Sequence, residues 1–384
     1  MFVYFLVFII ALLYFFVGNH QSKKLLILFM SYIAIFIGLG DMIGGYDRYI
    51  YGAIFDSIAD QMKMGLTDAE IFYNAPYRGT EFGYVIWNIL VAHISSNRYM
   101  FIFLTTLVMY ALFIRSFLEH FDKYPILCML FLGLFYYFTI TYMRQCLSVA
   151  IAWQGIKYVW ERKPLPFFLI TFIAFSMHNS AIIFFVLYFV PIKKYSRQQI
   201  IIFMILCFLL GWTPLASFLI ASSDEYTGAV GRNYTNEMYG YNVMYLMEVL
   251  LFLWFLLRYY HLLPSDKRTL VFFNMFLSFS AILLVFSRFV QGGRIGWYFL
   301  IGLFYIFSSL FYHNRIKKDV KWGVIIVSFL LFTRITIGWA FNLTPYTTFL
   351  TNGYPSGVRE IYEENEWDER YTVNKFYRPM IEFK

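Results

Sequence analysis

Long apolar runs, separated by short polar breaks, set the pattern of this chain. Crossing about 30 Å of hydrocarbon at about 1.5 Å per residue takes about 20 apolar residues in a helix. Runs at 2–17, 24–40, 99–118, 125–143, 145–160, 164–177, 179–192, 199–220, 242–259, 269–287, 295–312 and 321–341 predict twelve such helices. The first reads as a span, because it lacks a basic leading region and an A-x-A-like cleavage site. No internal repeat is evident. Two stretches are ambiguous. Residues 164–192 fit one long helix or a hairpin of two short ones, and Glu81–Ser95 (EFGYVIWNILVAHIS) fits a short span or an interfacial helix.

Composition supports the membrane reading. Of 384 residues, 60% are apolar and 14% charged, against about 45–50% and about 25% in soluble domains. Such hydrophobicity excludes intrinsic disorder. The net charge of +8 has no charged groove to carry it, so no nucleic-acid partner is expected.

Charge is more informative as a guide to topology, since Lys and Arg collect in cytoplasmic connectors. The short basic connectors hold Lys23/Lys24, Arg115/Lys123, Lys157/Arg162/Lys163, Lys193/Lys194/Arg197, Arg258/Lys267/Arg268 and Arg315/Lys317/Lys318/Lys321. All six share one side only if 164–192 is a hairpin and 81–95 does not cross. That side then has 17 bases and five acids, net +12, and the other 14 bases and 18 acids give −4. Both termini are expected outside. The expected organisation is a transmembrane domain over 1–341 and an outer tail over 342–384. The domain carries an acidic outer loop at 41–82, an interfacial helix at about 81–95 and an outer loop at 222–241. The tail contains the charged string EIYEENEWDER.

Candidate chemistry is sparse. Cys128, Cys146 and Cys207 lie within apolar runs without C-x-x-C spacing and read as small core residues. The six histidines form no H-x-x-x-H or H-E-x-x-H, and no nucleotide fingerprint is present, so neither a metal, a cofactor nor ATP-driven transport is expected. The unusual polar groups fall on the outer side. Arg144 and His178 sit at turns between spans, Arg288 and Arg294 flank another in FSRFVQGGRIGWY, and Pro345 and Tyr346 follow the last span. Ionisable groups in or beside spans are costly and are functional candidates by default. Each also has a plainer reading. The arginines could snorkel to headgroups, Asp47 could cap a helix, and Glu81 could favour a helix N-terminus. Glu248 and Arg334, at similar depth in their spans, read as a buried structural pair.

The order of these residues resembles the EpsG family, which groups with Wzy-type bacterial polysaccharide polymerases. The resemblance runs over about residues 40–350. It rests on Asp47/Tyr51, Glu81/Gly83/Tyr84, Arg144/Gln145, His178 to Ala181 (H-N-S-A), Arg294/Tyr298 and Pro345/Tyr346. Nothing in the tail from Thr347 matches. The resemblance implies an all-α polytopic bundle, glycosyltransferase-C-like, that moves a growing glycan from undecaprenyl pyrophosphate onto a lipid-linked repeat unit outside the membrane. Partners would be those lipid-linked oligosaccharides, membrane lipid and a chain-length regulator.

On this reading Arg144, Arg288 and Arg294 clamp the leaving pyrophosphate without a metal. His178 is the favoured general base, with Asp47 and Glu81 as orienting or alternative bases. Tyr51, Tyr84, Tyr298 and Tyr346 are candidate sugar contacts, and for the first three an interfacial aromatic belt is the plainer alternative. A flippase, a ligase for finished chains or a sugar acyltransferase would be competing functions.

Overall fold

A computed structural model describes residues 1–40, 46–214, 242–289, 292–344, 346, 348–352 and 380, with the side chains of Tyr46, Thr351 and Asn352 left aside. The expectations placed on Pro345, the loop 222–241 and most of the tail lie outside these residues. Among the described residues every regular element is helical, and extended pairing is confined to one bridge between Gly40 and Thr348. The chain forms two compact units. The first comprises Met1–Gln154, Ile173–His178 and Trp322–Lys384, and the second Gly155–Phe172 and Asn179–Lys321.

The first unit opens with α1 (Phe2–Val17) and α2 (Lys23–Gly38), the latter started by Ser22, whose hydroxyl accepts from the Leu25 N–H. Next come α3 (Tyr46–Lys63), α4 (Asp68–Asn74), α5 (Phe82–Ala92) and α6 (Arg98–His120). The acidic stretch expected to be a loop at 41–82 therefore contains two helices. Its charges hide a helical stripe, Tyr51, Phe55, Ile58/Ala59 and Met62, that packs on Tyr84, Val85 and Ile89 of α5 and on Phe101 and Ile102 of α6. Phe55 and Phe101 stack with centroids 4.6 Å apart. The capping box of α4 joins Thr67 and Glu70. Hydrogen bonds from the Thr67 backbone and hydroxyl hold the Glu70 carboxyl below its ordinary value.

Three charges in this region are buried for structural reasons. Arg48 donates to the carbonyls of Ile37 and Gly40, both at 3.0 Å, where α2 ends and leaves acceptors unsatisfied. Arg98 Nε donates to Asp56 Oδ2 at 2.8 Å, a fully buried pair joining α6 to α3.

The run 125–143 is divided into α7 (Pro125–Leu134) and α8 (Tyr136–Thr141), and 145–160 into α9 (Met143–Trp153) and α10 (Ile156–Trp160). Gln154 ends α9 with its amide donating to Leu112 O, Ser116 Oγ and Ala150 O, which ties that break to α6. The unit is completed by most of α16 (Lys318–Gly338) and by the short α17 (Ala340–Leu343) and α18 (Phe349–Asn352).

In the second unit, α11 (Pro164–Met177, its last turn in the first unit) turns at His178 into a 3₁₀ helix, Asn179–Phe189. Phe168 stacks on Phe185 at 5.9 Å, Phe167 meets Phe184 at 5.7 Å, and the Arg162 guanidinium donates to Tyr188 O. Seventeen residues of continuous helix would separate Phe168 and Phe185 by about 25 Å, so the stretch is a hairpin. The 3₁₀ form rises about 2.0 Å per residue and makes those 11 residues about 22 Å long, against about 16 Å as α-helix.

The remaining helices are α12 (Arg197–Gly211), α13 (Val243–Tyr259), α14 (Lys267–Val285) and α15 (Leu300–Phe311), the last preceded by a 3₁₀ turn, Gly292–Phe299. α14 is largely buried. At Gly302 a Cβ would stand 2.6 Å from Phe272 O, so glycine sets how closely α15 approaches it.

Among the described residues, five helical stretches are long and apolar enough to cross a membrane: Arg98–His120, Val243–Leu262, Lys267–Val285, Gly292–Phe311 and Lys318–Gly338. Six shorter apolar helices accompany them. Apolar side chains project outward from many of these, among them Leu13, Leu209, Trp254 and Leu330, as lipid contact requires. The cysteines are buried, as expected of small core residues. Glu248 is buried in α13, but Arg334 is exposed on α16.

Candidate functional site

Three of the sequence motifs converge in the first unit. Glu81 occupies the N-cap position of α5 without spending its side chain on the cap. Its carboxylate is buried and holds Arg144, from the first turn of α9, with Nη1 at 2.6 Å from Oε2. Its other oxygen, Oε1, faces His178 Nδ1 at 3.8 Å, too long for a hydrogen bond and close enough to become one by a small rotation. A carboxylate, a guanidinium and an imidazole, from α5, α9 and the end of α11, thus form one cluster.

Three tyrosines surround the guanidinium. The Arg144 Cζ lies 5.8 Å from the ring centroid of Tyr51, 5.7 Å from Tyr84 and 4.2 Å from Tyr77. Tyr51 and Tyr84 are buried and meet edge to face at 6.1 Å. They line the cation as a π-surface. Asp47 lies one turn before Tyr51 on the same face of α3, in its first turn.

Glycine and serine explain why α5 and α11 come close enough to bring Glu81 to His178. A Cβ at Gly83 would stand 2.2 Å from Ser176 Oγ and 3.1 Å from Ser176 O, so the E-x-G-Y glycine lets α5 rest directly on the last turn of α11. Ser148 of α9 donates to Ala174 O at 2.6 Å and fixes the same turn from the other side. Gly83→Ala is expected to lower stability by about 1–3 kcal/mol through overpacking, read as a lower Tm in detergent. Adding Ser176→Gly should recover most of that loss. An unchanged Tm in the single variant would mean the two helices do not meet there.

In the second unit the rest of the H-N-S-A motif meets the R-x-x-x-Y motif. Ser180, of H-N-S-A, hydrogen-bonds the Tyr298 hydroxyl at 3.0 Å, and Tyr298 is fully buried. The R-x-x-x-Y tyrosine is thus packed against the hairpin. Arg294 lies over Trp297 at 5.8 Å, and Arg288 is half-buried just after α14. Tyr346 stacks on Phe36 at 4.3 Å and donates to Phe36 O at 2.7 Å. Burial pushes its phenol up to about 12, so it keeps the donated proton at neutral pH. These contacts make it a clasp on α2.

Sequence reading missed Tyr77, Arg48 and the Asp56–Arg98 pair. The stripe through α3 was the available signal for a packed helix there. No sequence signal marks Tyr77 apart from the chain's other 32 tyrosines.

No curated protein matches the chain, and no solved structure does. The model of the EpsG family matches residues 25–348, a span that contains the Glu81, Arg144 and His178 cluster and the Ser180 and Tyr298 pair. The match covers most of the chain, which therefore belongs to the EpsG family, the family of Wzy-type polysaccharide polymerases.

Proposed function

We propose that this protein is a polysaccharide polymerase. It transfers a growing glycan from undecaprenyl pyrophosphate to a lipid-linked repeat unit on the outer face of the cytoplasmic membrane, for capsule, exopolysaccharide or O-antigen. The observation that carries this reading is the Glu81 carboxylate held between Arg144 and His178. It is a general-base arrangement beside a cation, in a chain of the polymerase family. The twelve-span, glycosyltransferase-C-like architecture and the outer placement of the site are part of the proposal and rest on the distribution of basic connectors.

In the reaction an acceptor hydroxyl oxygen attacks C1 of the donor sugar, and the bond from C1 to the pyrophosphate oxygen breaks. His178 takes the hydroxyl proton on Nε2. Glu81, on the Nδ1 side, orients the ring and stabilises the imidazolium that forms. Glu81 is the weaker base of the two because its charge is already engaged by Arg144. The guanidinium has five N–H donors, and those not directed at Glu81 can bind the departing pyrophosphate, where charge builds up. Arginine without a metal does this work in the proposal. Arg288 and Arg294 are candidate phosphate ligands and Asp47 an orienting group, on the grounds given by the sequence.

Deleting the gene and analysing lipid-linked glycans tests the reading. The expected result is single repeats capped on their acceptor with the long ladder missing. Repeats trapped in the cytoplasm would indicate a flippase, and polymer still on its lipid a ligase; either result overturns the proposal.

A further inference from the structure

We infer that the last turn of α4 and the turn joining it to α5 form a glycan platform, built from Tyr73 and Tyr77, that holds the sugars beside the Glu81 cluster. This rests on the polymerase reading and names residues that it does not use.

Tyr77 has an unusual combination of properties. Of the three rings around Arg144 it is the nearest, and it alone is exposed, at 40%. Its backbone is left-handed, with φ +68°, a conformation that a bulky side chain adopts only when its surroundings impose it. The Tyr77 carbonyl accepts from the Glu81 N–H at 2.9 Å, so the ring is tied through one turn to the carboxylate. The Arg144 guanidinium covers part of Tyr77 and fixes the ring, while the exposed part faces outward. Tyr73 repeats the design. It is 68% exposed, and the guanidinium of Arg78, also on this turn, lies 6.0 Å from its centroid.

Two exposed rings, each steadied by an arginine, present flat apolar surface at little further cost in side-chain entropy. The C–H face of a pyranose suits such a surface, because its weakly positive hydrogens meet the negative face of the ring. Tyr51 and Tyr84 hold the cation from inside, and Tyr77 and Tyr73 serve the sugar from outside.

The test uses full-length protein in nanodiscs. The probes are single repeat units on their lipid, extracted from the deletion strain, and the oligosaccharide released from them. Tyr77→Ala is expected to raise KM and the Kd for both probes about five- to tenfold, as for one lost aromatic contact, with kcat little changed. Tyr77→Phe and Tyr77→Trp should stay near wild type, and Tyr77→Leu should resemble alanine. Tyr73→Ala, on an exposed side chain, should weaken binding without altering Tm. Equal binding by the leucine and phenylalanine variants overturns the platform, as does a Tyr77→Ala effect seen with the lipid-linked probe and lost with the free oligosaccharide. If wild-type protein binds both probes but forms no polymer, the polymerase reading fails, and the binding series still decides the platform.

Discussion

Arg144→Met, with Glu81 left in place, is expected to destabilise the protein by about 3–5 kcal/mol, the cost of stranding a buried charge, and to abolish polymer formation. Glu81 is buried and its Oε2 has the guanidinium at 2.6 Å. Without that partner the carboxylate must take up a proton, draw in water or break the contact of α5 with α11. The double variant Glu81→Leu with Arg144→Met removes both charges, and apolar replacement of a buried pair is often neutral or better. It should recover the Tm and monodispersity lost in the single variant and still make no polymer. Stability then reports the pairing and the glycan ladder reports the chemistry. A single variant as stable as wild type would refute the buried pair, and an active double variant would refute its role in transfer.

His178→Ala is expected to reduce polymerisation by about 10²–10⁴-fold, the range for loss of a general base, with Tm near wild type. The position allows this separation, because His178 ends α11 and its side chain is not sealed in the core. Glu81→Gln keeps an acceptor beside Nδ1 and removes the charge that favours the imidazolium, so its loss should be smaller. The opposite ranking, with His178→Ala active and Glu81→Gln dead in folded protein, would move the base to Glu81. Both measurements need initial rates on defined lipid-linked repeats, since ladder length alone saturates.

Much of this site was legible in the sequence. Glu81, Arg144 and His178 stood out because polar groups beside apolar runs are costly, and their motif order pointed to one family. The hairpin at 164–192 followed from connector charge, and the ring pairs of Phe167 and Phe168 with Phe184 and Phe185 bear it out. What sequence could not give was partnership. Nothing in it says that Glu81 bonds Arg144, or that Tyr298 spends its hydroxyl on Ser180. Averaged hydropathy also concealed two kinds of feature. It passed over α3, where a periodic apolar face shares its turns with charges, and over the breaks at Phe135 and Gln154, where apolar sequence continues through interrupted helices. Nothing in the sequence sets Arg48 and Arg98 apart, because the acceptors that bury them lie elsewhere in the chain.

The Glu81–Arg144 pair also imposes an order in time. Its members are 63 residues apart, and a ribosome adding roughly 5–20 residues per second needs about 3–13 s to make the second after the first. Over that interval Glu81 has no guanidinium, and an ionised carboxylate in hydrocarbon is strongly disfavoured. It waits in water, and α5 waits with it. Arg144 emerges next, then Ser176 and His178, the residues against which Gly83 and Glu81 come to rest. The site is thus completed late in biogenesis, from its C-terminal side, and a chain truncated before α11 would pack α5 on α3 and α6 but leave Gly83 and Glu81 without the turn they rest on.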